Sequence, residues 1–227
     1  MSELKRARLQ RRLLAHHLPL LAVSAVSVTV LYLTRTYTDV FSRLSFATAY
    51  PALLLLAATL LIGPWNVLRK QRNPVSGDLR RDLGIWAGIL GIFHSAIGQN
   101  VHLRGRPWLY YVYEHRLFTP RHDLFGFGNY TGLLSALVLI ALLATSNDYT
   151  LRALGTPGWK KLQRWNYAAF TLAAAHSVAY QSSEKQARGF VVCIALTIAI
   201  TLTLQVAGYQ RRRHAAVETL SSSELLH

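Results

Sequence analysis

Six apolar stretches set the first limit on the fold, since each is close to the roughly 20 residues that a helix needs to cross about 30 Å of hydrocarbon. They lie at about 18–34, 44–62, 83–101, 129–146, 163–181 and 189–208. Backbone polar groups find no water in hydrocarbon, so such segments cross it as helices. The sequence therefore predicts an all-α membrane protein. A six-transmembrane-helix bundle (18–208) is expected between a basic N-terminus (1–17) and a polar, disordered tail (209–227).

The basic residues predict the orientation of this bundle. One side of the six stretches holds 17 of the 25 Lys and Arg residues and the other side holds eight. Cytoplasmic loops are enriched in Lys and Arg, so both termini are predicted to be cytoplasmic, in a cell inner membrane. The charges lie between apolar stretches rather than in one patch, which argues against nucleic acid as a partner. No small-residue cleavage site follows the first stretch, and we expect a retained first span.

The third and fifth stretches each carry a histidine, His94 and His176. An imidazole in hydrocarbon is costly without a partner, so each histidine is a functional hypothesis. Gly91 and Gly98 lie three residues before and four after His94, and Ala173 lies three before His176. On a helix these small residues share a face with the imidazole, so a flat group could lie against it.

The two histidines are also level. His94 lies 13 residues beyond Arg81, and His176 lies 12 beyond Arg164. On helices that run in the same direction, both imidazoles lie about 18–20 Å from the cytoplasmic end. We therefore predict one heme b between helices 3 and 5, with His94 and His176 as the axial iron ligands. The propionates are expected to reach groups at the extracytoplasmic surface, with candidates Arg104, Arg106 and Tyr180.

The alternative is a heme-free bundle in which the histidine pair is structural or relays protons. A proton path usually recruits Asp or Glu as well, and the six stretches contain neither. The loop over about 102–128 is rich in aromatic residues, and Pro107 could start a short helix there. These aromatics fit an interfacial belt, a lid over the cofactor or a docking surface.

Two segments carry a family resemblance. RRDLGIWAGILGIFH (80–94) and WKKLQRWNYAAFTLAAAH (159–176) resemble the ferric reductase-like transmembrane domain superfamily. Length and span count are most similar to its MsrQ/YedZ branch. The resemblance implies a heme-binding membrane subunit of a bacterial methionine sulfoxide reductase system, with FMN as a second cofactor that no residue here shows. Two-heme members carry a second histidine 13 or 14 residues from the first, where this chain has Gln163. One heme is therefore expected, and Gln163 departs from the branch, which commonly has histidine there.

The expected function is transmembrane electron transfer. Six-coordinate iron leaves no open site for substrate, so the chain would relay single electrons. The sequence has no nucleotide-binding fingerprint, so the donor on the cytoplasmic side would be a separate flavin reductase, a bound flavin or quinol. The acceptor would be extracytoplasmic, such as a periplasmic reductase. Ferric-chelate reduction by the same heme is the alternative, and whether the chain is itself an enzyme stays open.

Overall fold

The computed structural model describes residues 3–34, 37, 39–69, 77–103, 105–183 and 187–224. Within these ranges the chain is mostly helical, and one helix covers most of each apolar stretch. The α-helices are α1 (Glu3–Arg12), α2 (Leu18–Thr34), α3 (Val40–Leu68), α4 (Gly77–Gly98), α5 (Leu124–Ala144), α6 (Asp148–Gln163), α7 (Trp165–Ser183) and α8 (Arg188–Glu224).

Four helical segments are long and apolar enough to cross a membrane: Arg6–Thr34, Val40–Leu68, Leu124–Ala144 and Arg188–Ala215. The two helices with the paired histidines, α4 and α7, are not among them. Helix α4 begins with Asp78, Arg80, Arg81 and Asp82, and α7 carries several amide, hydroxyl and imidazole side chains. These polar groups lower mean hydropathy without shortening the helix. The six-span count therefore stays a prediction.

Helix α3 lies at the centre of the fold. It packs along α4 and α8 and also contacts α2 and α7. Its Leu53, Leu56 and Leu60 are buried. Where α8 crosses α3, a Cβ on Gly208 would lie 2.8 Å from the Cβ of Pro64, so the close approach of these helices requires glycine. This central position gives α3 one wall of the cavity described below.

The N-terminal helix docks on α4 through a buried carboxylate. A π-helix (Leu13–His17) joins α1 to α2, and no side-chain atom of Asp82 is exposed. The Arg12 guanidinium, the His16 Nδ1 (2.7 Å) and the His17 Nε2 (3.3 Å) all meet this carboxylate. Trp86 Nε1 donates to the other ring nitrogen of His17 (3.2 Å). The basic N-terminus, predicted from sequence only as a cytoplasmic segment, therefore forms a largely exposed helix that ion pairs join to α4.

Replacing Asp82 by Asn is expected to destabilise the fold by about 3–5 kcal/mol, because it removes the carboxylate that bonds the largely buried Arg12 guanidinium and leaves only Asp78, 4.0 Å from Arg12. Thermal unfolding in detergent measures the change. The matched control is Asp78→Asn, one turn earlier on α4, whose hydrogen-bonded partner Arg8 is 57% exposed and whose contact with Arg12 is longer, at 4.0 Å. An exposed ion pair contributes less than about 1 kcal/mol. Equal stability losses in the two variants would contradict the assignment of Asp82 as the docking carboxylate.

A 3-10 helix (Pro107–Tyr110) and an antiparallel hairpin link α4 to α5. The strands are β1 (Val112–Tyr113) and β2 (Arg116–Pro120), which pair Val112 with Pro120 and Tyr113 with Arg116 across an irregular register. The short helix begins at Pro107, as the sequence predicted. The hairpin was not predicted, because strands this short show no clear alternation of apolar and polar residues.

Helix α6 lies between the fourth and fifth apolar stretches, where Gly155, Pro157 and Gly158 in the sequence predict a loop. Asn147 caps it by accepting a hydrogen bond from the Thr150 amide (2.8 Å). The helix breaks at Gly155, whose φ of 64° is left-handed, and Pro157 follows two residues later. These helix-breaking residues produced the loop prediction, but they interrupt α6 without ending it.

Helix α8 continues to Glu224, through residues for which the sequence predicted a disordered tail. The segment after Tyr209 is polar but rich in Gln, Arg, Ala, Glu and Leu, all good helix formers. A helix that is already formed needs no new nucleation to extend into such a segment. Polarity alone was therefore a poor guide to the end of this helix.

Candidate functional site

The main cavity of the described structure lies inside the helical bundle. Helices α3, α4, α5 and α7 form its walls, with Ile194 of α8 closing one side. His94 and His176 both line it. No described lining residue is Asp, Glu, Lys or Arg. The described lining of the cavity therefore carries no carboxylate, ammonium or guanidinium group, and imidazoles are its main metal-binding groups.

The structure brings the rings of His94 and His176 together across this cavity. Their centroids are 5.9 Å apart, and the ring planes meet at 72°. The helices that carry them, α4 and α7, run in the same direction with the two residues at matching depth, as the sequence predicted. The two imidazoles are thus close enough to bind a single metal ion between them.

Each imidazole is oriented by a backbone carbonyl of a neighbouring helix. The Nδ1 of His94 lies 2.9 Å from the Ser45 carbonyl oxygen on α3, and the Nδ1 of His176 lies 2.8 Å from the Gly128 carbonyl oxygen on α5. A carbonyl oxygen only accepts, so each Nδ1 carries the proton and donates it. Each Nε2 therefore keeps its lone pair, which is the tautomer that a metal ligand needs.

Small residues make room around the two rings. Gly91, Gly98 and Ala173, the predicted small positions, all line the cavity. A Cβ on Gly91 would meet the flexible end of Leu139 at 2.8 Å, whereas a Cβ on Gly98 would find ordinary contact with Ser45 at 3.7 Å. The face beside His94 therefore stays open near Gly98 and is partly filled by Leu139 near Gly91.

Sequence reasoning missed Gly132 on α5. Among the glycines at the site, it is the one where an added Cβ would come closest to a neighbouring side chain. A Cβ there would lie 2.6 Å from the Nδ1 of His176 and 3.0 Å from its Cε1. Gly128, one turn earlier, supplies the carbonyl that holds the same ring. Together they form the GxxxG segment GNYTG (128–132), a pattern that marks close helix approach in membranes and could have been found.

Of the three predicted propionate contacts, the structure describes Tyr180 and Arg106, which lie apart. Tyr180 lines the cavity, its ring centroid is 4.7 Å from that of His176, and its hydroxyl donates to Asn129 Oδ1 (2.8 Å). Arg106 is exposed, forms an ion pair with Glu114 and is not among the lining residues. The structure does not bring Arg106 to the site. Arg104 lies outside the described residues.

The loop between α4 and α5 closes one end of the cavity. The Tyr110 side chain is buried, and its hydroxyl donates to the Gly98 carbonyl (3.0 Å) and accepts from the His102 amide (2.8 Å). Gln99 Nε2 donates to the Tyr111 hydroxyl (2.8 Å), and burial raises the pKa of Tyr111, so this hydroxyl stays protonated. These bonds hold the loop against the end of α4, and the three roles given to its aromatic residues stay predictions.

The described residues form no protein-only metal centre. Among them, no three His, Cys, Asp or Glu side chains lie close enough to hold a metal ion together. Gln163, which the family resemblance compared with a second heme-binding histidine, accepts a hydrogen bond from Asn166 at its Oε1, and its Nε2 is buried without a partner. The imidazole pair in the cavity is thus the arrangement best suited to a cofactor.

No model of a protein family matches the chain. Curated relatives do match the chain, each over 166 residues. It is 31% identical over 166 residues to the heme-binding subunit MsrQ of protein-methionine-sulfoxide reductase from Yersinia pseudotuberculosis serotype O:1b (strain IP 31758), covering 68% of this chain and 69% of the relative. The MsrQ subunit of Yersinia pestis (strain Pestoides F) is also 31% identical over 166 residues, with 68% of each chain covered. The chain belongs to the MsrQ branch of the ferric reductase-like transmembrane proteins.

Proposed function

We propose that the chain binds one heme b in the cavity and transfers electrons across the membrane. One observation carries this proposal: two imidazoles face each other, each with Nδ1 donating to a backbone carbonyl and Nε2 left to bind a metal. Two imidazoles alone leave a metal ion under-coordinated, whereas a porphyrin supplies its own in-plane nitrogens and needs only axial ligands. The named relatives are heme-binding subunits, which agrees with this choice.

The spacing of the rings fits this group. Metal–imidazole bonds are about 2 Å long, so two rings on opposite faces of one iron have centroids about 6 Å apart. The rings of His94 and His176 are 5.9 Å apart. The lining near them is small or apolar, with Gly98 and Ala173 beside the imidazoles. The residues present therefore fit a flat, largely apolar macrocycle with two axial histidines.

In this proposal the protein positions and shields the redox centre. When bound, the heme supplies one-electron chemistry through its ferric and ferrous states. His94 and His176 would fill both axial positions, so the site has no open coordination for a substrate. The packed helices and the loop over the cavity keep water away from the iron ligands. Such a site suits an electron relay better than a catalyst that binds substrate at the metal.

The proposed topology has six spans with both termini in the cytoplasm. Ion pairs gather the beginnings of α1, α4 and α6 at one end of the bundle, through Arg8 with Asp78 and Arg81 with Asp148. This end also holds most of the basic residues, which favours the cytoplasmic side. The loop over the cavity lies at the opposite end of α4. The imidazoles would then be closer to the extracytoplasmic surface.

The direction of transfer follows from this placement. We propose a donor on the cytoplasmic side, either a flavin reductase or quinol, and an extracytoplasmic acceptor. The relatives are named as subunits of a protein-methionine-sulfoxide reductase, so a reductase of that kind is the proposed acceptor. Only one heme is proposed, because the Gln163 amide replaces the second imidazole. No described residue is assigned to FMN.

An absorption spectrum of the purified protein, made with an adequate heme supply, tests the proposal. We expect a Soret band that sharpens and shifts on reduction with dithionite, as six-coordinate heme does. A pyridine extract should give one heme per chain. A colourless protein would overturn the heme assignment, and two hemes per chain would overturn the role given to Gln163. Reduction of a purified methionine sulfoxide reductase, compared with reduction of a ferric chelate, then identifies the acceptor.

A further inference from the structure

The cavity has a polar end and an apolar end. On the side of His94 and His176 that faces the loop, its lining includes Ser42, Gln99, His102, Asn129, Tyr180 and Gln181. On the other side the lining includes Leu53, Leu56, Ala87, Leu139 and Ile194. A heme has the same polarity, since its two propionates lie on one edge and its apolar substituents on the other. In the matching orientation, the apolar edge of the heme is buried against the apolar end of the cavity.

We propose that the polar end is the binding site for the propionate carboxylates, and that Gln181 and His102 bind them as hydrogen-bond donors. This inference rests on the heme proposed above. It differs from the expectation that arginines would hold the propionates. Arg106 forms an ion pair with Glu114 at the surface. Among the described residues that line the cavity, none is Asp, Glu, Lys or Arg.

Gln181 is the first of the two donors. It lies on α7 five residues beyond His176, which is about 7.5 Å further towards the loop. Its Nε2 donates to the Tyr50 hydroxyl (2.9 Å), while its Oε1 is buried without a hydrogen-bond partner. A half-turn of the amide lets the Tyr50 hydroxyl donate to Oε1 and leaves the NH₂ group for a carboxylate. A bound carboxylate would thus satisfy an amide that is incompletely bonded, which is worth more than an ordinary hydrogen bond.

His102 is the second donor, and the loop holds it in place. Its amide donates to the Tyr110 hydroxyl (2.8 Å), and its ring lies 6.4 Å from the Tyr180 ring and 5.7 Å from the Phe125 ring. Tyr180 in turn contacts the His176 ring at 4.7 Å. The His102 imidazole therefore lies on the loop side of the proposed iron ligand. A neutral imidazole there can donate one hydrogen bond to a carboxylate.

Esterified heme tests this assignment separately from heme binding itself. Protein made in heme-deficient cells is titrated with protoheme or with protoheme dimethyl ester, and dissociation constants come from the Soret band. We expect the wild type to bind the free acid at least about tenfold more tightly, the value of a charge-assisted hydrogen bond. Gln181→Leu and His102→Phe should each weaken binding of the free acid more than binding of the ester, and so reduce this preference.

Gln181→Glu sharpens the test, because it keeps the shape of the side chain and places a carboxylate beside the propionates. We expect it to weaken binding of the free acid by about tenfold or more and to spare the ester. The controls make the same changes at exposed residues outside the cavity lining, Gln210→Glu and His122→Phe, and should match the wild type.

The outcomes separate the two proposals. Equal affinity of the wild type for acid and ester, or variants that weaken both equally, would overturn the propionate site and leave heme binding intact. A protein that binds neither form, with no Soret band, would overturn the proposed function and this inference together. A preference for the acid that is lost in the Gln181 and His102 variants supports the site.

Discussion

Replacing His94 or His176 by alanine is expected to abolish the six-coordinate heme spectrum and to weaken heme binding about 100-fold or more. Each change removes one of the two proposed axial ligands. Loss of an outer-shell partner alone weakens metal sites about 10- to 100-fold, and loss of the ligand itself should cost at least as much. The measurements are heme content per chain and the Soret band of the oxidised and reduced protein.

Added imidazole separates a ligand from a structural histidine. The alanine variants leave a hole lined by small and apolar side chains, next to the carbonyl of Ser45 or Gly128 that the lost ring had used. If the histidines bind iron, free imidazole should restore the wild-type spectrum. If they only hold α4 and α7 in place, imidazole should change stability without producing a heme spectrum. His122→Ala, an exposed histidine outside the cavity lining, should keep full heme content without imidazole.

The pairing of these two histidines could be predicted from sequence because it depends on few quantities. Helix rise fixes the depth of a residue from the end of its helix, and a single crossing between two predicted spans gives those two spans the same direction. His94 and His176 satisfied both conditions. Small residues three or four positions away marked the face that each imidazole shares. The family resemblance rested on the same two segments and is confirmed by the MsrQ relatives.

The groups that hold the rings could not be predicted in the same way. The acceptors are backbone carbonyls of Ser45 and Gly128, and every residue carries such a carbonyl. Only the packing of α3 against α4 and of α5 against α7 decides which carbonyl meets which imidazole. The position of the Arg106 side chain could not be predicted for a related reason. A hairpin too short to predict pairs it with Glu114 outside the cavity.

The N-terminus shows a further limit of the sequence. Its basic residues were assigned to the positive-inside pattern, which accounts for the side of the membrane but not for a partner. In the structure Arg12, His16 and His17 converge on Asp82, which is remote in sequence. Charge counting treats such residues as equivalent, so it cannot separate a residue in a buried network from an exposed one.

Replacing Gly132 by alanine is expected to disturb the heme site almost as strongly as loss of a ligand, although the change adds only one methyl group. The new Cβ would lie 2.6 Å from the Nδ1 of His176, well inside contact distance. The ring cannot move away without breaking its hydrogen bond to the Gly128 carbonyl (2.8 Å). We expect heme affinity to fall about 10- to 100-fold, with part of the remaining heme becoming five-coordinate.

Gly84→Ala provides the matched control for this steric argument, since it makes the same substitution inside helix α4, where the new Cβ would meet Thr59 Cγ2 at an ordinary 3.7 Å. It should leave the heme spectrum unchanged and raise the stability of the helix by about 0.5–1 kcal/mol, because alanine loses less backbone freedom than glycine on folding. Electron paramagnetic resonance reads the spin state of the iron in both variants. A Gly132→Ala protein with full heme content and a low-spin signal would contradict this argument. It would show that the His176 ring binds the metal from a different position. Loss of the low-spin signal in Gly132→Ala alone would assign the effect to contact with the His176 ring, because helix propensity changes equally in the two variants.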